Sequence, residues 1–132
     1  MKLIKVAAGI IVHNGKILIA QRRHDKTCAN LWEFPGGKIE QGETMQQCLQ
    51  RELMEELNLS ITVGNYFMTS TFAYDFGVVE LHAYFATSES EDVSFHPDHE
   101  DVRWVSLADI DNYTFPPADK PILRALKKSV PA

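Results

Sequence analysis

One segment, from Gly36 to Leu59, constrains the fold of this chain more than any other; it reads GGKIEQGETMQQCLQRELMEELNL. Leucines recur in it every four residues from Leu49, a helical spacing that predicts one buried flank. Glu52, Glu55 and Glu56 are spaced so that, on a helix, they fall within an arc of about 100° beside that flank. The segment therefore predicts an amphipathic helix that presents a band of carboxylates.

This band of carboxylates lowers the stability of the helix unless it binds something positive. Glu52 and Glu56 are like charges four residues apart, which destabilises a helix by about 0.2–0.5 kcal/mol. Mg²⁺ prefers sites made of one or two carboxylates, water and substrate phosphates. The same pattern also fits an exposed acidic face in which Arg51 and Glu55 form an ion pair four residues apart. From the residues alone, a metal site and a solvated acidic face are both open.

The rest of the chain predicts strands and one further helix. Asn14-Gly15 is a hairpin turn signal, and the pair Thr44 and Gln47 forms a capping box that starts the acidic helix. Pro121 suits the first turn of a last helix. Residues 96–101 form an acidic stretch before the last strand. The predicted strands are Val6–Val12, Lys16–Arg22, Ile61–Thr71, Val78–Ala86 and Val102–Val105.

The glycine and acidic positions resemble the signature of the Nudix hydrolases, the Nudix box. One position departs from that signature, because Asn58 stands where the family has glycine. The glycine would end the helix in a left-handed conformation, and asparagine is the next residue to tolerate that conformation. The departure therefore affects a helix cap and leaves the acids in place. The matching positions are Gly37, Glu43, Arg51, Glu52, Leu53, Glu55, Glu56 and Leu59.

The resemblance covers nearly the whole chain and implies an α/β fold, a mixed β-sheet sandwiched between α-helices, in a single domain of residues 1–132. It also implies an enzyme that uses Mg²⁺, with Mn²⁺ as an alternative, to convert a nucleoside triphosphate to the monophosphate and pyrophosphate. Glu52, Glu55 and Glu56 would bind the metal together with a backbone carbonyl near Gly36. One of the glutamates near the metal would be the general base.

The resemblance suggests supporting roles for two more residues of the box. Arg51 would orient a box carboxylate through a charge-assisted hydrogen bond. Glu43 would support the glycine loop or a second shell around the metal.

The resemblance adds three candidates outside the box. By likeness to MutT-type members, Arg23 would lie near the substrate phosphates, although a solvated strand end is the alternative. Phe34 either packs in the core or lays its ring against a nucleobase. Asp98 lies six residues before Trp104, where MutT-like relatives tend to carry one more metal-linked acid. That acid is usually glutamate, so Glu100 is the substitute, and a plain acidic loop is the remaining interpretation.

The nucleobase is the least determined part of the prediction. Asp119 lies in a PPADKP segment that resembles the base-recognition segment of MutT-like enzymes, where the 8-oxoguanine branch has asparagine. An ionised Asp119 can accept from the cytosine amino group or from the N1/N2 edge of guanine, or it can cap the last helix.

Two other segments guide the choice of substrate. Leu31–Phe34 and Leu81–Tyr84 resemble the cytidine triphosphate pyrophosphohydrolase branch, so we expect CTP, dCTP or 5-modified cytidine nucleotides. The alternatives are hydrolysis of 8-oxo-dGTP and a Nudix-fold module that senses a nucleotide without cleaving it.

Charge and composition limit the other partners. The 132 residues are 45% hydrophobic, enough for a core without disulfides. The net charge of −5 and the lack of a basic tract argue against duplex DNA or RNA as a partner. Cys28 and Cys48 have neither disulfide-framework nor metal-site spacing, and no signal peptide or membrane span is recognisable. A reduced, cytoplasmic protein is therefore predicted, with its oligomeric state left open.

Overall fold

The computed structural model describes residues 2–94 and 98–129, and within them seven strands form one sheet with two helices packed against it. No helix of these residues is long and apolar enough to cross a membrane. The helices are α1 (Met45–Leu57) and α2 (Lys120–Ser129), with a 3-10 turn at Ile110–Asn112. The strands are β1 (Leu3–His13), β2 (Lys16–Arg22), β3 (Trp32–Glu33), β4 (Gly36–Lys38), β5 (Thr62–Tyr74), β6 (Gly77–Thr87) and β7 (His99–Ser106).

Strand β1 organises the sheet. It runs parallel to β6 over ten paired positions, from Leu3 opposite Val78 to Val12 opposite Thr87. It pairs antiparallel with β2 through the predicted Asn14-Gly15 hairpin. It also pairs antiparallel with β4, at the positions from Val6 to Ala8. The path of neighbouring strands is β3-β2-β1-β6-β5, with β4 paired to β1 and β7 paired to β2. One parallel pair among antiparallel ones makes this the mixed sheet that the sequence predicted.

Each face of the sheet carries its own hydrophobic core, with one helix packed on each. On one face Leu53 of α1 packs with Leu18 of β2. On the other face Ile122 of α2 packs with Ile17 and Ile19. Because successive strand residues point to opposite faces, a strand buried on both sides is apolar at every position, as the middle of β2 is. The predicted sandwich of a sheet between helices is confirmed.

Both predicted ends of α1 are present. Thr44 is the N-cap residue and forms the capping box with Gln47, each side chain accepting from the other residue's backbone N–H. At the other end Asn58 adopts the left-handed conformation, with φ of 51° and ψ of 37°, and its N–H donates to the carbonyl of Met54. Asparagine therefore fills the conformational role that glycine has in the family signature.

Several strand boundaries differ from the predictions, and the short strands β3 and β4 were not predicted. The largest differences are that β1 begins at Leu3 rather than Val6, β5 ends at Tyr74 rather than Thr71, and β7 begins at His99 rather than Val102. The acidic residues before Val102 predicted a loop, but their backbone pairs with the end of β2, where the register shifts between Gln21 and Arg22. Backbone pairing thus overrides the low strand propensity of acidic residues. Residues 96 and 97 of the predicted acidic stretch lie outside the described residues.

We expect Asn58→Ala to lower the free energy of unfolding by about 1–2 kcal/mol, since a side chain with a Cβ and no local hydrogen bond is strained in the left-handed region. Asn58→Gly should leave stability within roughly 0.5 kcal/mol of the starting protein, because glycine adopts this conformation without strain. Urea unfolding measures both. Equal losses in the two variants would show that the cap conformation does not limit the stability of α1.

Candidate functional site

A close contact between β4 and α1 places the box acids at the sheet. Gly37 lies opposite Ala7 of β1, and a Cβ built on Gly37 would overlap the carboxyl group of Glu52. Glycine at this position therefore lets a charged side chain of α1 lie directly against the strand. The Glu52 side chain is only 14% exposed as a result. Gly36 and Gly37 both line the space in front of Glu52.

Arg51 joins three of the acids on the solvent side of α1. Its Nε and Nη2 donate to the two carboxylate oxygens of Glu43, at 2.6 and 3.0 Å. Its Nη1 donates to Glu52 at 2.9 Å and to Glu55 at 3.2 Å. These hydrogen bonds lower the pKa of Glu43 to about 2 and raise the pKa of Arg51 above its ordinary value. The predicted pair of Arg51 with Glu55 is thus one part of a larger ion-pair network.

Glu56 has the opposite electrostatic environment. Burial raises its pKa well above the ordinary range of a glutamate, and the neighbouring Glu52 raises it further by a hydrogen bond and by charge repulsion. Glu33 and Asp98 add to the repulsion. Without a cation, therefore, the surroundings of Glu56 favour its protonated form. Crowded carboxylates of this kind are stabilised when a cation replaces the proton.

Glu52 and Glu56 line a cleft of about 520 Å³, which we call the acidic cleft. Three further acids line the same space, namely Glu33, Asp98 and Asp119. Among residues 2–94 and 98–129, no three acidic, histidine or cysteine side chains are already arranged as a metal-ligand group. The cleft thus offers hard oxygen donors without a complete coordination shell. That combination fits a cation such as Mg²⁺, which completes its shell with water and substrate phosphates.

A second space of about 270 Å³ adjoins the acidic cleft, and we call it the apolar pocket. Arg22, Glu33 and Asp119 line both spaces. Tyr74 and Phe76 form one wall, with their rings stacked at 5.1 Å between centroids and 7° between planes. Aromatic and aliphatic walls with a few polar groups are typical of sites that bind a flat heterocycle.

Asp119 is the buried polar group where the two spaces meet. It is 6% exposed, and its Oδ1 accepts a hydrogen bond of 3.4 Å from the backbone N–H of Phe34. Burial raises the pKa of Asp119 well above its ordinary value, and the charge of Glu33 raises it further, whereas Phe34 N–H and Arg22 oppose the shift. Asp119 directly precedes α2 in the chain. Its carboxyl group nevertheless accepts its hydrogen bond from Phe34, the residue that follows β3.

The two arginines at the end of β2 have different environments. Arg23 forms a two-point ion pair with Asp25, at 3.0 and 2.9 Å, within the loop. Arg22 lines both spaces, and it donates to the carbonyl of Thr27 at 2.6 Å and to Glu33 at 2.9 Å. Arg23 was predicted to lie near substrate phosphates, whereas Arg22 is the arginine that lines the acidic cleft. Arg22 lies at the end of β2, where the register against β7 shifts between Gln21 and Arg22.

The other residues predicted from outside the box are Phe34, Asp98 and Glu100, and they have different positions relative to the acidic cleft. The Phe34 ring is buried against Phe115, with 5.3 Å between ring centroids, which is the core alternative of its two predicted roles. Asp98 lines the acidic cleft, 3.8 Å from the Lys26 ammonium group. Glu100, its predicted substitute, instead accepts from the backbone N–H and the ring of His24. Of the two downstream acids, Asp98 is therefore the one at the cleft.

Three residues of the site were not singled out from the sequence, namely Arg22, Glu33 and His99. Glu33 lies on β3 and accepts from Arg22, and His99 begins β7 with its side chain 4% exposed. His99 is buried, and it also lines the acidic cleft. No local pattern marks these residues, since their contacts join segments that are distant in the chain. The Glu55 carboxylate, which the sequence placed among the metal ligands, is 60% exposed beside Arg51.

A mixed sheet between two helices, one of which carries the acids and lies against a glycine strand, is the arrangement of the Nudix class of fold. The NUDIX domain family model matches residues 3–126. The chain therefore belongs to the Nudix hydrolase family, as the box predicted. Members of this family generally use divalent metal ions such as Mg²⁺.

Individual relatives are MutT-like. The CTP pyrophosphohydrolase of Escherichia coli (strain K12) is 40% identical over 125 residues, which cover 95% of this chain and 92% of that protein. The 8-oxo-dGTP diphosphatase of the same strain is 36% identical over 130 residues, covering 97% and 99%. The solution structure of the E. coli ORF135 protein matches with a TM-score of 0.80 and 38% identity, covering 97% of this chain and 91% of that one.

We expect the Arg51–Glu43 pair to make stability depend on acid pH. The Glu43 pKa lies near 2 in the folded protein and near 4.5 without its partners, so its contribution is complete above pH 4.5 and is lost as the pH falls towards 2. Glu43→Gln should therefore be less stable than the starting protein near neutral pH, and the difference should narrow below pH 4.5. Urea unfolding across this pH range measures it.

The exposed Glu89 supplies the matched control for this measurement. Glu89→Gln removes one negative charge without removing an arginine partner, so its stability should track the starting protein at every pH. A gap for Glu43→Gln that stays constant from neutral to acid pH would contradict the ion-pair explanation.

Proposed function

We propose that this protein is a Mg²⁺-dependent nucleoside triphosphate pyrophosphohydrolase that acts on CTP, dCTP or 5-modified cytidine nucleotides. Water attacks phosphorus, the bond between the α- and β-phosphates breaks, and the products are the monophosphate and pyrophosphate. The observation that carries the proposal is the junction of the acidic cleft with the apolar pocket. One space suits cation-bound phosphates, and the other suits a base.

The residues of α1 supply the cation-binding side of this proposal. The raised pKa of Glu56 favours its protonated form, and this proton must be released on binding a cation, because only the carboxylate is a ligand. Glu55, Asp98 and a carbonyl near Gly36 complete the proposed ligand set. Mg²⁺, when bound there, neutralises phosphate charge and makes water more acidic. One glutamate of this cluster then takes the proton of the attacking water.

The surrounding residues hold the cluster in place. Arg51 orients Glu52 and Glu55 by its two hydrogen bonds, and Glu43 fixes the guanidinium from the other side. Arg22 replaces Arg23 as our candidate for contacting the substrate, because it lines both spaces. Phe34 contributes its backbone N–H to Asp119, and its ring supports the core.

Asp119 is the residue that we propose reads the base. Its raised pKa favours the neutral acid, which carries one donor and one acceptor. Cytosine presents the complementary pair, an acceptor at N3 and a donor at its amino group, on one edge. Guanine presents two donors at N1 and N2, which suit an ionised carboxylate, but its O6 and N1–H also form an acceptor–donor pair. A neutral Asp119 is therefore complementary to cytosine without excluding guanine, and the preference for cytosine is supported by the CTP pyrophosphohydrolase among the relatives.

Hydrolysis of 8-oxo-dGTP is the second candidate function, supported by the 36% identical diphosphatase. A neutral Asp119 can also pair with the N7–H and O6 of 8-oxoguanine, so donor count alone does not separate the two. A non-catalytic nucleotide sensor is the third alternative. We favour an enzyme over a sensor because the acids of the Nudix box are all present. The cytoplasmic location and the single domain of residues 1–132 stay predictions.

We expect Glu56→Gln to lower the turnover of CTP with saturating Mg²⁺ by roughly two orders of magnitude or more, because an amide is a neutral ligand and cannot serve as a base. Thermal unfolding should be unchanged or raised, since the buried acid is already protonated without a cation. Glu89→Gln is the matched control and should keep full turnover. Near-normal turnover in Glu56→Gln would remove this residue from the mechanism.

A panel of nucleoside triphosphates tests the proposed substrate. Pyrophosphate release from CTP, dCTP or a 5-substituted analogue should be faster, by kcat/KM, than release from 8-oxo-dGTP or GTP. The advantage should fall as the pH rises, because ionisation of Asp119 removes the proton that it donates to cytosine N3. The reverse ranking would assign the protein to 8-oxo-dGTP hydrolysis, and no release from any nucleotide would favour the sensor.

Asp119→Asn supplies the control for this panel. The amide keeps one donor and one acceptor at every pH, so its preference for cytidine nucleotides should persist without the pH dependence. Asp119→Ala should lose roughly 10- to 100-fold in discrimination, the range expected for one two-point base contact. An unchanged ranking in Asp119→Ala would show that another residue reads the base.

A further inference from the structure

His99 is a buried histidine that the proposed function does not use. Its side chain lies in the wall of the acidic cleft. Its Nε2 lies 3.7 Å from an oxygen of Glu56 and 3.8 Å from an oxygen of Glu33. Its Nδ1 is buried without a hydrogen-bond partner among the described residues. A side chain that only filled the core would be more stable without these nitrogens, because buried polar atoms without partners are destabilising.

The position of His99 connects the two spaces of the site. Across the irregular end of the β2–β7 pair, His99 lies opposite Arg22. Arg22 donates to one carboxylate oxygen of Glu33 at 2.9 Å, and the other oxygen faces the His99 ring. Arg22, Glu33, His99 and Glu56 thus form a line of polar groups from the apolar pocket to the acids of α1.

The two distances from Nε2 have a geometric consequence. Both exceed the range of about 2.7–3.2 Å for an N–H···O hydrogen bond. The ring therefore lies between two acceptors, and it can close on one of them if a carboxylate moves by roughly 1 Å. A movement of the Glu56 carboxylate of this size, such as one that accompanies cation binding, would bring it within hydrogen-bond distance of Nε2. His99 is placed to accept that movement of Glu56.

We propose that His99 is a positioning residue, whose Nε2–H holds the Glu56 carboxylate in its cation-binding orientation. Glu33, which lies between His99 and Arg22, connects this position to the apolar pocket. This inference rests on the proposed function, because it takes Glu56 as a metal ligand. It goes beyond that function in assigning a role to a residue outside the Nudix box.

Substitutions at two histidines separate positioning from packing. His99→Phe keeps a ring of similar size and removes both nitrogens. His99→Gln keeps an amide N–H near the position of Nε2 and is the conservative rescue. His82→Phe is the matched control, because His82 pairs with Glu80 at 2.6 Å and lines neither space of the site.

We expect His99→Phe to lower kcat for CTP by about 10- to 100-fold and to weaken Mn²⁺ binding to the nucleotide-free protein by a similar factor. Electron paramagnetic resonance of free Mn²⁺ measures the binding without turnover. His99→Gln should recover most of both quantities, and His82→Phe should change neither. If His99→Phe does not fold, His99→Asn replaces it, since its shorter amide cannot reach Glu56 and should lose Mn²⁺ affinity likewise.

Two outcomes overturn the positioning role. One is an active protein in which His99→Phe keeps its kcat and its Mn²⁺ affinity. The other is an equal loss in the Phe and Gln variants that follows their thermal stability, which assigns His99 to packing. A starting protein that releases pyrophosphate from no nucleotide overturns the proposed function instead. The Mn²⁺ titration then still decides whether His99 positions the acids.

Discussion

The crowding of carboxylates on helix α1 is the interaction on which the rest of the site depends. The helix tolerates these charges by two different means. On its solvent side Arg51 donates hydrogen bonds to Glu43, Glu52 and Glu55. On its cleft side, burial and the neighbouring Glu52 raise the pKa of Glu56, which favours its protonated form. Arg51 therefore offsets the charge on one side of the cluster, and the crowding that remains is on the cleft side. A cation at the cleft would relieve that crowding.

The sheet makes this asymmetry structurally possible. Gly37 allows β4 and α1 to approach until Glu52 lies against the strand, and β4 is in turn paired with β1 in the middle of the sheet. The acids are thus held by one of the most buried parts of the fold rather than by a mobile loop. The other wall of the cleft comes from the ends of β2, β3 and β7, where Arg22, Glu33 and His99 lie. A change in either wall alters the shape of the acidic cleft.

The sequence predicted those parts of the molecule that depend on local spacing. The α1 periodicity, its capping box and its left-handed end at Asn58 are all set by residues within a few positions of each other, and all three are present. The predicted contact of Arg23 with substrate phosphates stays a prediction, whereas Arg22 lines the cleft at the point where the β2–β7 register shifts. Glu33 and His99 gave no signal, since their meeting joins β3 to β7 across more than sixty residues of chain. Long-range register, unlike helical period, leaves little trace in a single sequence.

The two candidate substrates are cytidine nucleotides and 8-oxo-dGTP. Whether position 119 carries an asparagine or a protonated aspartic acid affects how an enzyme could distinguish them. Both side chains offer one donor and one acceptor, so the count of hydrogen bonds does not distinguish them. The amide is held in one orientation by its neighbours, whereas the acid can carry its proton on either oxygen. In this chain Phe34 N–H donates to Oδ1, which favours the proton on Oδ2. The resulting fixed order of acceptor and donor is a property of the backbone after β3 as much as of Asp119. If Asp119 reads the base as proposed, the selection depends on two segments that meet only in the folded protein.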